Sequence, residues 1–105
     1  MLEDPTTTTW IIDENGDLHC ENGPAKISAM GSKFWYIHGI RHRIGGPAVE
    51  WHDGDKIWYQ HGQRHREDGP AIECARYIEW YYRGKLIPVN NLKDFQAYIR
   101  NKAFW

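Results

Sequence analysis

Hydrophobic and polar residues alternate along this chain in short runs that end at glycine or at a turn sequence. A period of two is the pattern of a half-buried β-strand, and runs of about six residues bounded by turns indicate an antiparallel meander. Each Gly-Pro-Ala triplet opens one run, since proline is tolerated at a strand start, where its missing N–H breaks no central hydrogen bond. The predicted strands are residues 25–29, 33–38, 48–52, 56–61, 71–75 and 77–83.

One motif returns at a nearly constant spacing. Residues 35–43 read WYIHGIRHR and residues 58–66 read WYQHGQRHR, and Gly-Pro-Ala follows each at 46–48 and 69–71. The glycines at 16, 39, 62 and 84 are 23, 23 and 22 residues apart, and the histidines at 19, 42 and 65 are 23 apart. A period of this length predicts one small supersecondary unit stacked on its neighbours. The sequence therefore predicts about three repeats over residues 10–87, and it favours a scaffold over an active site.

Two aromatic positions of the repeat fall on opposite faces of the predicted sheet, because neighbouring residues of a strand point to opposite sides. One face carries Trp35, Trp58 and Trp80, and the other carries Tyr36, Tyr59 and Tyr81. Tryptophan buries the larger apolar area. We therefore expect the tryptophan face to be the core, although the pattern is also compatible with a core on the tyrosine face.

The pattern changes at both ends of the chain. Residues 1–9 carry no repeat signal, and their proline and threonines predict an extended arm or a disordered tail. After Pro88, apolar residues recur at helical spacing at positions 92, 95, 98 and 99, and Asn90-Asn91 can cap a helix. We predict an amphipathic helix over residues 91–103, within a C-terminal segment 88–105 that packs on a sheet face or closes the last repeat.

Composition argues against several classes of function. The formal net charge is -1, whereas a protein dedicated to binding the phosphate backbone carries a basic stripe and a nucleic-acid mimic is strongly acidic. No apolar run approaches the roughly 20 residues that a membrane span needs. The first ten residues lack the basic-then-apolar order of a signal peptide. The sequence thus predicts a cytoplasmic protein in which Cys20 and Cys74 are free thiols.

The order aromatic, glycine, two residues, histidine, together with the 23-residue step, resembles MORN repeats. The matching positions are Gly39, His42, Gly62 and His65, with Gly16 and His19 as a weaker copy. The resemblance covers residues 10–87 and implies an elongated sheet of antiparallel hairpins that serves as a protein- or lipid-contact scaffold. No basic cluster in this chain supports the lipid contact.

Two features depart from the usual MORN pattern. The histidine is followed by arginine and then Gly-Pro-Ala rather than by Gly-x-Gly, and the tryptophan lies one residue earlier, with tyrosine in its usual place. The chain therefore resembles a MORN-like variant with the pattern WYxxGxxHRxxGPA, of the kind seen in phage, bacterial and large-virus proteins.

The histidines invite a metal-binding interpretation that their spacing does not favour. His19, His42 and His65 hold equivalent positions, which lie about two strand spacings or roughly 10 Å apart in a meander. Zinc bonds histidine nitrogen at about 2.0–2.1 Å, so we expect each imidazole instead to bond the turn backbone of the adjoining hairpin. The sequence shows no nucleophile signature, phosphate loop or paired-carboxylate motif. We therefore predict no catalytic residue, cofactor or metal, and a protein that is not an enzyme.

Binding to another macromolecule is the function that remains. One short helix covers only part of one sheet face, so we expect part of the aromatic ladder to stay exposed, and Trp, Tyr and Arg dominate binding hot spots. The residues predicted to contact a protein partner are Tyr36, Tyr59, Tyr81, His38, His61, Arg41, Arg43, Arg64 and Arg66. The most specific expectation is a phage-type accessory protein that inhibits a host defence protein in the host cytoplasm.

Two alternatives stay open. The arginine-rich turns could bind nucleic acid, with nearby aromatic residues for base stacking. The chain could also be a structural subunit, because exposed sheet edges favour strand addition or self-association. In either case a partner or a second copy of the chain would supply the cover that the sheet lacks.

Overall fold

The computed structural model describes residues 8–102, within which twelve short strands and one C-terminal helix form. The strands are β1 (Thr9–Trp10), β2 (Lys26–Ile27), β3 (Lys33–Phe34), β4 (Tyr36–Ile37), β5 (Ile40–Arg41), β6 (Val49–Glu50), β7 (Lys56–Ile57), β8 (Tyr59–Gln60), β9 (Gln63–Arg64), β10 (Ile72–Glu73), β11 (Ile78–Tyr82) and β12 (Lys85–Ile87); the helix is α1 (Leu92–Lys102). Eight strands form one sheet in the order β1-β2-β3-β6-β7-β10-β11-β12, and every paired neighbour is antiparallel. The predicted mainly β, antiparallel fold with one C-terminal helix is confirmed.

Each repeat also contains a tight hairpin that the sequence pattern did not separate from the long sheet. The predicted strand 33–38 divides at Trp35 into β3 and β4, and β4 pairs with β5; β8 and β9 repeat the arrangement after Trp58. The chain changes partner at the division. The N–H of Trp35 donates to the carbonyl of Ala48, while the Trp35 carbonyl accepts the N–H of His42.

The tight hairpins turn on a residue pair that ends in the periodic glycine. The pairs are His38-Gly39 (φ 46 and 79), His61-Gly62 (φ 53 and 79) and Arg83-Gly84 (φ 50 and 85). Positive φ at both central residues defines the type I′ turn, whose twist matches a two-residue hairpin. Glycine adopts this conformation freely, whereas histidine and arginine pay a steric cost, so the contacts that hold their backbone matter.

The first repeat is irregular. The N–H of Ile11 donates to Ala25 and its carbonyl accepts the N–H of His19, which are the bonds that Trp35 makes in the next repeat. Ile11 therefore takes the tryptophan position, and the hairpin holds one extra residue. The Asp13 carboxylate accepts the N–H groups of Asn15 and Asp17 at 2.9 and 3.0 Å, which closes the turn of this hairpin.

The core lies on the tyrosine face, so the expectation of a tryptophan core is wrong for the regular repeats. Registered partners on neighbouring strands project to the same face, and the register aligns Phe34, Val49, Ile57 and Ile72. Tyr59 and Tyr81 pack with this row and are only 8% and 9% exposed. The opposite face carries the alternating charges Lys33, Glu50, Lys56 and Glu73. Such a row offers no apolar cover, and Trp35 and Trp58 are only half-buried there.

The helix α1 covers the last repeat. The Asn91 side chain accepts the N–H of Asp94 at 2.8 Å, which caps the N-terminus of the helix, and it donates to the Asp94 carboxylate at 3.0 Å. Phe95 is fully buried against Ile87 and Trp80, with 5.1 Å between the ring centroids of Phe95 and Trp80. The third tryptophan is therefore buried because a helix covers it.

The predicted helix 91–103 is thus confirmed over Leu92–Lys102, while residue 103 lies outside the described residues. Residues 1–7 of the predicted arm also lie outside them, and Thr9 belongs to β1 rather than to the arm. No helix in the described part of the chain has the length and apolar character to cross a membrane.

Candidate functional site

The repeat histidines tie each hairpin to the next. The Nδ1 atoms of His19, His42 and His65 accept the backbone N–H of His38, His61 and Arg83, each at 2.9 Å. The residue that donates is in each case the turn residue with positive φ. The prediction that the imidazoles bond turn backbone is confirmed, and we call this contact the histidine clamp. Burial lowers the pKa of His42 and of His65, which favours the neutral ring that can accept at Nδ1.

One group of potential metal ligands comes together in residues 8–102: Asp13, His19 and His38, whose ligand atoms lie within 4.8 Å of one another. Sequence spacing did not reveal it, because Asp13 occupies the irregular first turn. The His38 ring bonds the Asp13 carboxylate at 2.9 Å, and this bond lowers the pKa of Asp13. His19 already uses Nδ1 in the clamp, and its ring stacks on His38 at 4.2 Å and 28°. These contacts link the first turn to the hairpin of the second repeat.

A second repeated contact joins the tryptophan, the arginine and the glycine of the motif. The guanidinium carbons of Arg43 and Arg66 lie 3.9 and 3.8 Å from the ring centroids of Trp35 and Trp58. A Cβ atom at Gly46 or Gly69 would approach the same carbons to 2.7 or 2.6 Å. Each arginine is therefore held between an indole and a glycine, and we call this arrangement the arginine sandwich.

The sandwiched arginines make hydrogen bonds within their own repeats. Arg43 donates to the carbonyl of Pro47 at 3.0 Å and to the carboxylate of Glu50 at 3.3 Å. Arg66 repeats both bonds at 3.0 and 2.9 Å, to Pro70 and Glu73. Both arginines were predicted to contact a partner; within their own repeats each already donates to a carbonyl and a carboxylate, and their role in a partner contact stays a prediction.

The other arginine of each motif has different surroundings. Arg41 lies 5.4 Å from the Tyr59 ring centroid and donates to the Tyr36 hydroxyl at 3.3 Å. Arg64 lies 5.3 Å from the Tyr81 ring centroid and donates to the Tyr81 hydroxyl at 3.4 Å. Hydrogen bonding to the tyrosine hydroxyls raises the pKa of Arg41 and of Arg64. Tyrosine and arginine therefore alternate along the stack, and we call this row the arginine–tyrosine ladder.

Arg41 and Arg64 are exposed, and neither pairs with a carboxylate among the described residues. A guanidinium has five N–H donors, so both keep donors that face solvent. Tyr59 and Tyr81 are buried beneath them, which corrects their assignment as direct contact residues. The predicted contact residues that remain accessible are Tyr36, His38, His61, Arg41 and Arg64.

An apolar patch distinguishes the second repeat from the third. Ile40 and Ile44 are 51% and 77% exposed, and Ile37 lies beside them. The equivalent positions in the third repeat are Gln60, Gln63 and Glu67. The repeat geometry therefore does not require isoleucine at these positions, because polar residues support the same hairpin. The sequence analysis did not single out these residues, although a comparison of the two repeats, position by position, contains the signal.

Comparison with known proteins gives no family assignment for this chain. No family model, no curated protein and no solved structure matches it. The likeness to MORN repeats stays a resemblance carried by the motif residues, whose structural roles are the turn, the clamp and the sandwich.

Proposed function

We propose that this chain is a non-enzymatic protein-binding module that recognises an acidic segment of a partner protein through Arg41 and Arg64. The observation that carries the proposal is the contrast between two arginines of the same motif. Arg43 and Arg66 hold glutamates of their own repeats, whereas Arg41 and Arg64 are exposed and have only tyrosine hydroxyls as hydrogen-bond partners in the described chain.

The ladder holds these two guanidiniums ready for an anion. Each is positioned over a buried tyrosine ring, so less side-chain freedom remains to be lost on binding. Arginine binds carboxylates through two parallel N–H···O bonds, which makes it the preferred residue for recognising them at protein interfaces. Tyr36, His38 and His61 lie at the same hairpins and extend the accessible polar surface.

The apolar patch supports a protein partner. Exposed isoleucines next to a polar rim are the composition of a protein interface, in which an apolar centre is surrounded by polar groups. Nucleic-acid binding through the arginine-rich turns, the alternative, relies on four arginines and on free aromatic rings for stacking. Arg43 and Arg66 are already occupied, and Tyr59 and Tyr81 are buried, which weakens this alternative.

A protein that binds without catalysis can act in two ways: it can cover a surface of its partner, or it can hold two partners together. A stoichiometric inhibitor of a host protein is the form of this function that the resemblance to phage-type proteins suggests. An adaptor that links two proteins through the two ends of the stack is a second form, and the same first experiment identifies the partner for both.

The test is a pull-down from nuclease-treated cell lysate with the wild-type chain and with the Arg41→Gln/Arg64→Gln variant. The matched control is Arg76→Gln/Arg100→Gln, which removes the same charge from two exposed arginines outside the ladder. We expect an acidic protein that the wild type and the control retain and the ladder variant loses. Equal retention by all three chains would contradict the proposal.

A second measurement separates the protein from the nucleic-acid function. Affinity for single-stranded nucleic acid should fall steeply with salt if arginines neutralise phosphates. We expect no such complex for the wild-type chain. A salt-dependent complex that the ladder variant loses would instead favour the nucleic-acid function. Tyrosine-to-alanine changes are less suitable here, because Tyr59 is a core residue and its removal would destabilise the fold.

A further inference from the structure

The two ends of the repeat stack differ, and the difference determines how two copies of the chain can meet. At each boundary the earlier repeat holds the later one by three bonds. The carbonyl of Arg41 accepts the N–H of Gly62, the His42 ring accepts the N–H of His61, and the N–H of Arg43 donates to the carbonyl of Tyr59. The next boundary repeats all three bonds from Arg64, His65 and Arg66.

The last repeat cannot offer this set. One repeat after Arg64, His65 and Arg66 the chain has Leu86, Ile87 and Pro88. Isoleucine provides no side-chain acceptor, and proline has no backbone N–H, so two of the three bonds are lost. The Ile87 side chain is also buried against α1. The C-terminal end of the stack is therefore closed to a further hairpin.

The N-terminal end is open along β1. This strand pairs only with β2 among the described residues. The N–H of Ile11 donates to Ala25 in the β2 segment, and alternate residues of an antiparallel strand bond to opposite neighbours. The N–H and carbonyl of Trp10 therefore point to the free edge. No lysine, proline or bulge protects the edge at residues 9–12, although such devices commonly prevent edge-to-edge pairing.

The side chains at this edge continue the core face of the sheet. Trp10 is registered with Lys26, which is registered with Phe34, so Trp10 lies on the same face as the core row. Phe34 has strands on both sides and is 8% exposed, whereas Trp10 and Ile12 are 61% and 57% exposed. The first turn does not need a partner, because Asp13 accepts its N–H groups. The incomplete surface is thus the strand edge and its apolar side chains.

We propose that two copies of this chain pair through β1 about a two-fold axis and form one continuous antiparallel sheet. Stacking the open end of one copy on the C-terminal end of another would lose two of the three boundary bonds at Ile87 and Pro88, which favours pairing of like ends over a filament. A symmetric contact of the same edge with itself closes the assembly at two copies. It pairs Trp10 with Trp10 of the second copy, satisfies their main-chain groups and covers both indoles. This surface is separate from the arginine–tyrosine ladder.

Sedimentation velocity over a wide range of concentration tests the proposal. We expect the wild-type chain to sediment at twice the chain mass of 12.4 kDa, and Trp10→Lys to sediment at the mass of one chain. The control Ile44→Lys places the same charge at an apolar position away from β1 that is 77% exposed, against 61% for Trp10, and should keep the dimer. Circular dichroism confirms that each variant is folded.

A second variant keeps the test decisive if Trp10→Lys does not fold. Trp10→Pro removes the outward N–H without touching the bonds from β1 to β2, since proline is tolerated where the N–H faces away from the sheet. We expect it to be folded and monomeric. A monomeric wild-type chain would overturn the proposal, as would a dimer that survives Trp10→Pro.

Discussion

The arginine sandwich explains, residue by residue, why the motif contains tryptophan, arginine and glycine at fixed spacing. The tryptophan of each motif lies on the sheet face that carries alternating charges, and such a row offers its indole ring no apolar cover. The guanidinium of Arg43 or Arg66 stacks on that ring, while its N–H groups bond Glu50 or Glu73. Cation–π contacts of this kind contribute about 0.5–2 kcal/mol. The glycine is required for space rather than for its backbone freedom, because Gly46 and Gly69 show no positive φ.

Gly69→Ala should therefore destabilise the protein. The new Cβ would lie 2.6 Å from the Arg66 guanidinium carbon and would displace it from Trp58, which would remove a cation–π contact of about 0.5–2 kcal/mol. The control is Gly23→Ala in the first repeat, where Cys20 replaces the arginine and a Cβ meets nothing within 4 Å. Urea unfolding followed by tryptophan fluorescence measures both. Equal stability of the two variants would show that the sandwich does not set the glycine requirement.

Some residue roles follow from the sequence pattern and others do not, for physical reasons. The role of the histidines could be predicted, because an acceptor that recurs beside every turn has few partners other than the turn backbone. The role of Arg43 could not be separated from that of Arg41, because residues two apart in a strand are expected on the same face, whereas in the fold Arg41 contacts Tyr36 and Arg43 contacts Trp35. The burial of Tyr59 could not be predicted, because it depends on which face of the sheet forms the core and both faces carry aromatic residues.

At the scale of the element, the tight hairpin is the unit that the histidine clamp holds in place. Its strands have only two residues each, too few to stand alone in water and too few to give a periodic signal in the sequence. For this reason the sequence pattern predicts one long strand where the fold has a sheet strand followed by the first strand of a hairpin, β4 or β8. What stabilises them is the pair of bonds from the preceding repeat, one to the histidine ring and one to a carbonyl.

The clamp makes stability depend on pH. A protonated ring carries N–H at Nδ1 and would face the backbone N–H of His61 or Arg83. Burial lowers the pKa of His42 and of His65 from the ordinary value of 6.5, so the unfolded chain binds more protons than the folded chain as the pH falls below 6.5. The clamp therefore contributes fully to the free energy of unfolding above pH 6.5. Its contribution decreases as the pH falls from there toward the folded-state pKa values.

We expect the urea concentration at the unfolding midpoint to decrease when the pH is lowered from about 7.5 to about 5.5, the range in which histidine titrates. His65→Phe should lower stability at neutral pH by about 1–3 kcal/mol, because the Arg83 N–H loses its acceptor in a partly buried site, and should flatten the pH dependence. His52→Gln is the control, since His52 is an exposed turn residue outside the clamps. An unchanged pH dependence in His65→Phe would contradict the assignment.

At the scale of the whole molecule, the chain is an elongated stack rather than a sphere. Its extents are 54 × 33 × 17 Å and its radius of gyration is 15.7 Å, against about 13 Å for a compact domain of this length. Contacts run between neighbouring repeats, so stability is the sum of the repeats and their boundaries. The C-terminal end is stabilised by α1, whereas β1 at the N-terminal end pairs only with β2 in the part of the chain that the structure describes.

Removing one clamp should therefore have a different effect at the end of the stack than in its middle. His19→Ala removes one of the bonds between the first repeat and the second, its one neighbouring repeat in the described chain, so we expect faster hydrogen exchange at Ile11, Asp13 and Cys20 while Trp58 and His65 keep their protection. His42→Ala separates the middle repeats and should lower the protection of both sides together. Hydrogen exchange read by NMR distinguishes the two patterns. A uniform loss of protection in His19→Ala would mean that the stack unfolds as one unit, because the boundaries would then be stronger than the repeats they join.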